Sequence, residues 1–169
     1  MELLVVRHGM AEDREEFAAE EKDDSLRPLT KQGRWKIERI AKGLRYLVPS
    51  VHLVATSPFA RAEQTARLVA AAYRGADVTS LDCLAPGGRP NAFLAWLREH
   101  EDVDRVIAVG HEPELGALVT WLITGQPAEG RIALRKGGAC LLEFDGRLRP
   151  GEATLHWALP PTVLRRLAD

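Results

Sequence analysis

Cysteine is scarce in this chain: Cys83 and Cys140 are the two among 169 residues. Isolated in sequence, they form neither a disulfide framework nor a metal knuckle, and they point to a reducing cytoplasm. Long apolar runs are missing as well. No stretch approaches the roughly 18 to 20 apolar residues of a membrane helix. The apolar run at the start, Leu3 to Val6, is too short for a secretory signal. No membrane partner is therefore expected. An excess of charge of one sign is also lacking, since 23 Lys+Arg stand against 24 Asp+Glu for a net charge of -1. That balance argues against nucleic acid as a partner, because non-specific binding to phosphate backbones needs a large basic excess. Metal-site spacing is absent too, with no His-x-x-x-His and no cluster of carboxylates about the five histidines. The chemistry is expected to need no metal and no other cofactor.

What is present is ordinary globular composition, 46% hydrophobic and 28% charged. The length suits one domain over residues 1–169. With no apolar stripe left over, a monomer is the default state. Among the cations 18 are Arg and only 5 are Lys. Arg is the planar, bidentate phosphate binder, so a local anion site can hide inside a neutral total.

Along the chain, buried-strand runs alternate with helical periodicity. Strands are expected at Leu3 to Val6, Val51 to Thr56, Val78 to Leu81 and Arg105 to Val109. Residues 12 to 25 are mostly charged and read as a solvated loop or short helix. Thr30 can cap a helix with Ile37, Ile40, Ala41, Leu44 and Leu47 inward, ended by Pro49. Ser57-Pro58 offers an N-cap and an N1 proline for a helix to about Tyr73, and Pro113 suits N1 of another that Gly125 closes. Between them, Asn91 to Glu99 forms a helix with Phe93, Leu94 and Leu97 inward. Ala139 to Asp145 and Ala153 to Leu159 then read as antiparallel edge strands, with a closing helix over 161–168. The class is α/β: a three-layer α/β/α sandwich with a mostly parallel sheet and an antiparallel edge.

In such sheets ligands bind beyond the carboxyl ends of the strands. Three of those ends carry Arg7-His8-Gly9, Ser57 to Arg61, and Gly110-His111-Glu112. Two His and two Arg converging near helix N-termini suit a tetrahedral dianion, most simply a phosphoryl group. A neutral imidazole is a competent nucleophile toward phosphorus, and guanidinium forks with a second His can steady the developing charge. His52, His100 and His156 read as surface or packing residues, and Arg67 and Arg74 as solvated.

These residues carry a resemblance. Val5-Val6-Arg7-His8-Gly9 resembles the RHG motif of the histidine phosphatase superfamily, which has the phosphoglycerate mutase-like fold. Ser25-Leu26-Arg27-Pro28-Leu29-Thr30-Lys31-Gln32-Gly33 and Ser57-Pro58-Phe59-Ala60-Arg61-Ala62-Glu63-Gln64-Thr65 are similar to the small bacterial SixA-type phosphohistidine phosphatases, and Gly110-His111-Glu112-Pro113 fits the second-histidine motif. The resemblance spans nearly the whole chain and implies no inserted cap. It implies that His8 is the phosphorylated nucleophile, that Arg7, Arg61 and His111 complete the phosphate pocket, and that Arg27 is a further cation of the SixA type. Ser57 would serve as helix cap and pocket wall, and Thr30 and Gly33 as a cap and a close helix contact.

One departure from the pattern bears on the substrate. Many superfamily phosphatases place a Glu general acid after the third strand, where this chain reads Ser80-Leu81-Asp82-Cys83-Leu84-Ala85-Pro86, with Cys83 at the acid's position. Glu12, Asp82 and Glu112 are the candidates for an acid elsewhere, and Glu12, Asp13 and Glu112 otherwise read as solvated or supporting groups. A missing acid disfavours alkoxide leaving groups and favours imidazole, with its pKa of about 6.5. The expected activity is thus removal of phosphate from phosphohistidine in a partner protein. The alternatives are a small-molecule phosphatase acting on nucleotide, polyphosphate or metabolite anhydrides, and a non-catalytic phosphate-binding module.

Overall fold

In the computed structural model, residues 1–74, 76–126 and 131–168 are described. Six strands, β1 (Glu2–Arg7), β2 (Leu53–Thr56), β3 (Asp77–Ser80), β4 (Arg105–Gly110), β5 (Ala139–Phe144) and β6 (Ala153–Leu159), form one sheet in the order β3-β2-β4-β1-β5-β6. The first four run parallel, while β5 is antiparallel to β1 and β6 to β5. Among the described residues six α-helices cover it: α1 (Arg14–Ala19), α2 (Lys31–Leu47), α3 (Ala60–Ala72), α4 (Pro90–Arg98), α5 (Glu114–Thr124) and α6 (Pro161–Arg166).

Strand alternation divides the core into two faces. Leu4, Val6, Ile107 and Val109 pack under α2, α3 and α6, together with Ile37, Ile40, Leu44, Val69 and Leu164. Leu3, Val5, Val106 and Ala108 face the other way, under α4 and α5, with Phe93, Leu97, Leu115 and Leu122. This is the three-layer α/β/α arrangement that the alternating pattern implies. Among the described residues no helix is long and apolar enough to cross a membrane.

Local chemistry sets the boundaries. Thr30 Oγ1 accepts from Gly33 N–H at 2.9 Å and caps α2, as its type and position predict. The charged segment at 12–25 resolves into α1, capped by Asp13 through Glu15 N–H and Glu16 N–H, and a single turn of 3-10 helix at Asp24–Leu26. Two helix starts differ from expectation. α3 begins at Ala60, three residues after Ser57, because Ser57-Pro58-Phe59 first makes a turn in which Ser57 Oγ accepts from Phe59 N–H at 3.2 Å. Ser57 is therefore not the cap, and Pro58 is not N1; the extended Phe59 occupies the cap position. α5 begins at Glu114, with Pro113 as its cap residue rather than its first helical residue.

Strand register brings the loops together. Arg7 pairs with Gly110, and Thr56 pairs with both Val109 and Ser80. The carboxyl ends of β1, β2 and β4 thus lie level with one another at the middle of the sheet.

Candidate active site

A cleft of about 620 Å³ opens above those strand ends, lined by Arg7, His8, Arg27, Arg61, His111 and Lys136 among others. All five residues singled out in the sequence therefore border one space. His8 and His111 are 5% and 3% exposed, Arg61 2% and Arg27 7%.

His8 is fixed by the backbone on both sides. Its main-chain N–H donates to Gly110 O at 3.1 Å, and Nδ1 lies 2.7 Å from Gly9 O. A carbonyl only accepts, so Nδ1 carries the proton and the Nε2 lone pair is left for chemistry. Gly9 N–H donates to Thr65 Oγ1 at 3.0 Å, and Thr65 donates in turn to Arg61 O at 2.7 Å. The loop after β1 is thereby tied to the first turns of α3. Gly9 has room for no side chain, since a Cβ there would lie 2.6 Å from Ile37 Cγ1.

The His8 and His111 rings stand 5.0 Å apart, and the Phe59 ring meets His111 edge-on at 5.3 Å. Burial pushes both imidazoles down, with the charges of Arg61 and Arg7 adding to it, to about 3 for His8 and about 4 for His111. Both rings are neutral near pH 7. His111 Nε2 lies 2.8 Å from the fully buried Ser57 Oγ. Ser57 supports this ring from below rather than forming a wall of the cleft.

The guanidiniums are held from their outer edges. Arg61 donates from Nη1 to Asp24 O at 2.9 Å and from Nη2 to Asp24 Oδ2 at 3.0 Å, and stacks 4.9 Å over Phe59. Arg27 donates from Nε to Asp24 Oδ1 and from Nη1 to Glu12 O, both at 2.8 Å. Burial opposes ionisation of Asp24, yet the hydrogen bond from Arg27 and the charge of Arg61 outweigh it and hold the carboxyl below its usual range. Arg7 donates from Nη1 to Leu134 O at 2.8 Å. Arg7 Nε, Arg61 Nε and His111 Nδ1 are buried with no hydrogen-bond partner among the described residues. Buried donors without partners are costly. Arg7, Arg61 and His111 all border the cleft that holds His8, and two guanidiniums beside two imidazoles suit a tetrahedral oxyanion.

Four carboxylate residues also border the cleft, Glu12, Asp13, Glu112 and Glu114, which corrects the expectation that acids do not gather near the histidines. They nonetheless form no group able to hold a metal among the described residues. Glu112 accepts from Leu134 N–H at 2.8 Å and Gly116 N–H at 3.3 Å, so its two oxygens are spent on the backbone. Asp82 is exposed and, like Cys83, does not border the cleft; from that segment Pro86 does. His52, His100 and His156 also lie outside it.

Several contributors carried no sequence signal read as functional. Asp24 lies in the charged 12–25 segment, whose composition suits a solvated loop. Gln64 and Thr65 lie within the Ser57 to Thr65 motif, and Gln64 Oε1 accepts from Leu29 N–H at 2.9 Å. The 131–138 loop follows no recognised pattern, yet it contributes Lys136 and is pinned by Gly137 N–H to Arg7 O and His8 O, both at 3.1 Å. A signal for Asp24 exists in its spacing, three residues before Arg27, where a turn brings the two side chains together.

Comparison with known proteins places this geometry. The family model of the histidine phosphatase superfamily (branch 1) matches residues 3–85. The chain belongs to this superfamily. An uncharacterized protein from Picosynechococcus sp. is 38% identical over 148 residues, covering 82% of this chain and 87% of the relative. The phosphohistidine phosphatase SixA from Escherichia coli is 29% identical over 168 residues, 98% of this chain and 97% of the relative. A structure of the protein histidine phosphatase SixA complexed with tungstate superposes with a TM-score of 0.80 at 28% identity, covering 97% of this chain and 99% of the other. An alpha-ribazole phosphatase from Shigella flexneri shares the fold alone, with a TM-score of 0.74 at 20% identity over 95% of this chain and 97% of the other. The chain is thus a SixA-like phosphatase of the histidine phosphatase superfamily with the α/β fold of its relatives.

Proposed function

We propose that this protein removes the phosphoryl group from phosphohistidine on a partner protein through a covalent phospho-His8 intermediate. The observation that carries this reading is the state of His8, a neutral ring with Nδ1–H held by Gly9 O and its Nε2 lone pair free, in a cleft that Arg7, Arg61 and His111 also line.

In the first step the His8 Nε2 lone pair attacks phosphorus and the phosphorus–nitrogen bond of the substrate breaks. The substrate ring, protonated at its far nitrogen, leaves as neutral imidazole, so no acid is needed at the breaking bond. Arg7 and Arg61 neutralise the equatorial oxygens. Ser57, already accepting from Phe59 N–H, donates to His111 Nε2 and leaves His111 Nδ1–H to donate to the same oxygens. In the second step water attacks phospho-His8, inorganic phosphate departs, and Nε2 recovers its lone pair.

Of the three candidate acids, Glu12 borders the cleft, while the placement of Glu112 and Asp82 favours this leaving group over an alcohol. Both Glu112 oxygens are engaged by backbone N–H groups, and Asp82 lies outside the cleft. The tungstate on the SixA relative is a tetrahedral oxyanion, the same shape that the Arg7, Arg61 and His111 donors suit. Initial rates on a phosphohistidine peptide and on a panel of alkyl phosphates test the reading. We expect kcat/KM to favour phosphohistidine by at least about a hundredfold, on the scale of general acid contributions. A preference for alkyl esters would refute it and favour a small-molecule phosphatase.

A further inference from the structure

Surface charge is unevenly spread. α2 carries Lys31, Arg34, Lys36, Arg39, Lys42 and Arg45 against one acid, Glu38, and α6 adds Arg165 and Arg166 with no acid. Eight of the 23 cations and one of the 24 acids thus sit on two helices of a chain with net charge -1. The helices touch through their backbones, since a Cβ on Gly43 would lie 1.9 Å from Leu164 O. Between them runs a groove of about 400 Å³ lined by Trp35, Arg39, Thr162, Arg165 and Arg166. Trp35 is 54% exposed, with the Arg39 guanidinium 5.5 Å from its ring centroid. Trp and Arg together are the side chains that dominate binding energy at protein interfaces.

A short loop lies between the helices of the groove and the cleft. Lys136 borders the cleft, and the next residue, Gly137, donates to Arg7 O and His8 O. A Cβ on Gly137 would lie 2.8 Å from Ile40 Cδ1 of α2 and 3.6 Å from Pro161 Cβ, at the start of α6. One short loop therefore joins the His8 end of β1 to the two basic helices.

We propose that this groove is the docking surface for an acidic stretch of the protein that presents phosphohistidine to His8, an inference that rests on the reading of His8 given above. Charge complementarity selects the partner: the cations of α2 and α6 steer and orient an acidic surface. It favours a protein over a nucleic acid, because Glu12, Asp13 and Glu114 at the cleft would repel a continuous phosphate backbone. The phosphohistidine enters between those acids as a single dianion, while the flanking acidic side chains lie on α2 and α6.

Two synthetic peptides with a central phosphohistidine, one flanked by Glu and the other by Lys, test the proposal alongside phosphoimidazole. At low salt we expect kcat/KM on the Glu-flanked peptide to exceed that on the Lys-flanked one by about tenfold, a gap that closes as salt screens the charges. R39E/R165E should remove the preference through KM, leaving kcat and the rate on phosphoimidazole unchanged; W35A/R166E should do the same. No preference in the wild-type protein, or a preference that survives both variants, overturns the proposal. Tighter binding of a single-stranded oligonucleotide than of the Glu-flanked peptide overturns it in favour of a nucleic-acid partner. Binding of the unphosphorylated Glu-flanked peptide, measured by calorimetry, separates the two readings. Its loss in the variants upholds the groove even where no phosphopeptide is turned over, a result that would sink only the His8 reading.

Discussion

His8 shows how one side chain is prepared by its surroundings. Burial keeps the ring neutral, and the Gly9 carbonyl decides which nitrogen holds the proton. Nitrogen-15 NMR of the imidazoles should find His8 and His111 uncharged from pH 7 down to pH 5, with His8 in the Nδ1–H form. Titration of either ring near 6.5 would contradict the burial that surrounds them. The sign for stability follows from the lowered values of about 3 and about 4. An unfolded chain takes up protons below about 6.5 where the folded one does not, so stability is full above that pH and falls as pH drops toward 4. Arg61 depends on a partner in the same way. With its outer edge released, Asp24→Ala should lower kcat/KM about a hundredfold on every substrate, the cost of a misplaced binding group. Unchanged kinetics would reduce Asp24 to a surface partner of Arg14, 3.7 Å away.

Among elements, close backbone approach positions the parts. A Cβ on Gly33 would lie 2.1 Å from Met10 O, and one on Gly43 1.9 Å from Leu164 O, so α2 lies against both the loop after β1 and α6. Gly43→Ala should destabilise the fold by about 1–3 kcal/mol, since the contacting atom is backbone and cannot swing away. A denaturant midpoint equal to wild type would contradict that packing. The strands and helices were legible because β1 and β4 are buried on both faces and read as continuous apolar runs, while α2 shows a clean 3.6-residue period. Helix starts were less so: Ser57 and Pro113 are residue types that open helices, but here a turn at Ser57-Pro58-Phe59 and a loop at Glu112-Pro113 come first. Of the cleft, Arg7, His8, Arg27, Arg61 and His111 stand in recognisable motifs. The bonds from Arg61 to Asp24 and from Gly9 to Thr65, and the place of Lys136 at the cleft, were not legible, because they join segments far apart in sequence.

For the molecule as a whole, the net charge of -1 conceals a strong local separation. Cations gather in the cleft and along α2 and α6, while the acids within the cleft are mostly held by backbone donors: Asp13 caps α1, Glu112 holds Leu134 and Gly116, and Glu114 accepts from Gly87 N–H at 3.0 Å. A broadly basic fold would attract any polyanion; a neutral one with a cationic cleft admits a single phosphoryl group. The proposal made for the cleft and its neutral imidazole comes down to one chemical event, transfer of that group to His8. Rapid-quench mass spectrometry after mixing with a phosphohistidine peptide tests this most directly. An alkali-stable, acid-labile phosphoryl group should appear on His8 within the first turnover and be absent in His8→Ala, which should also lose turnover. Steady release of phosphate with no label on His8, or full activity in His8→Ala, would contradict it.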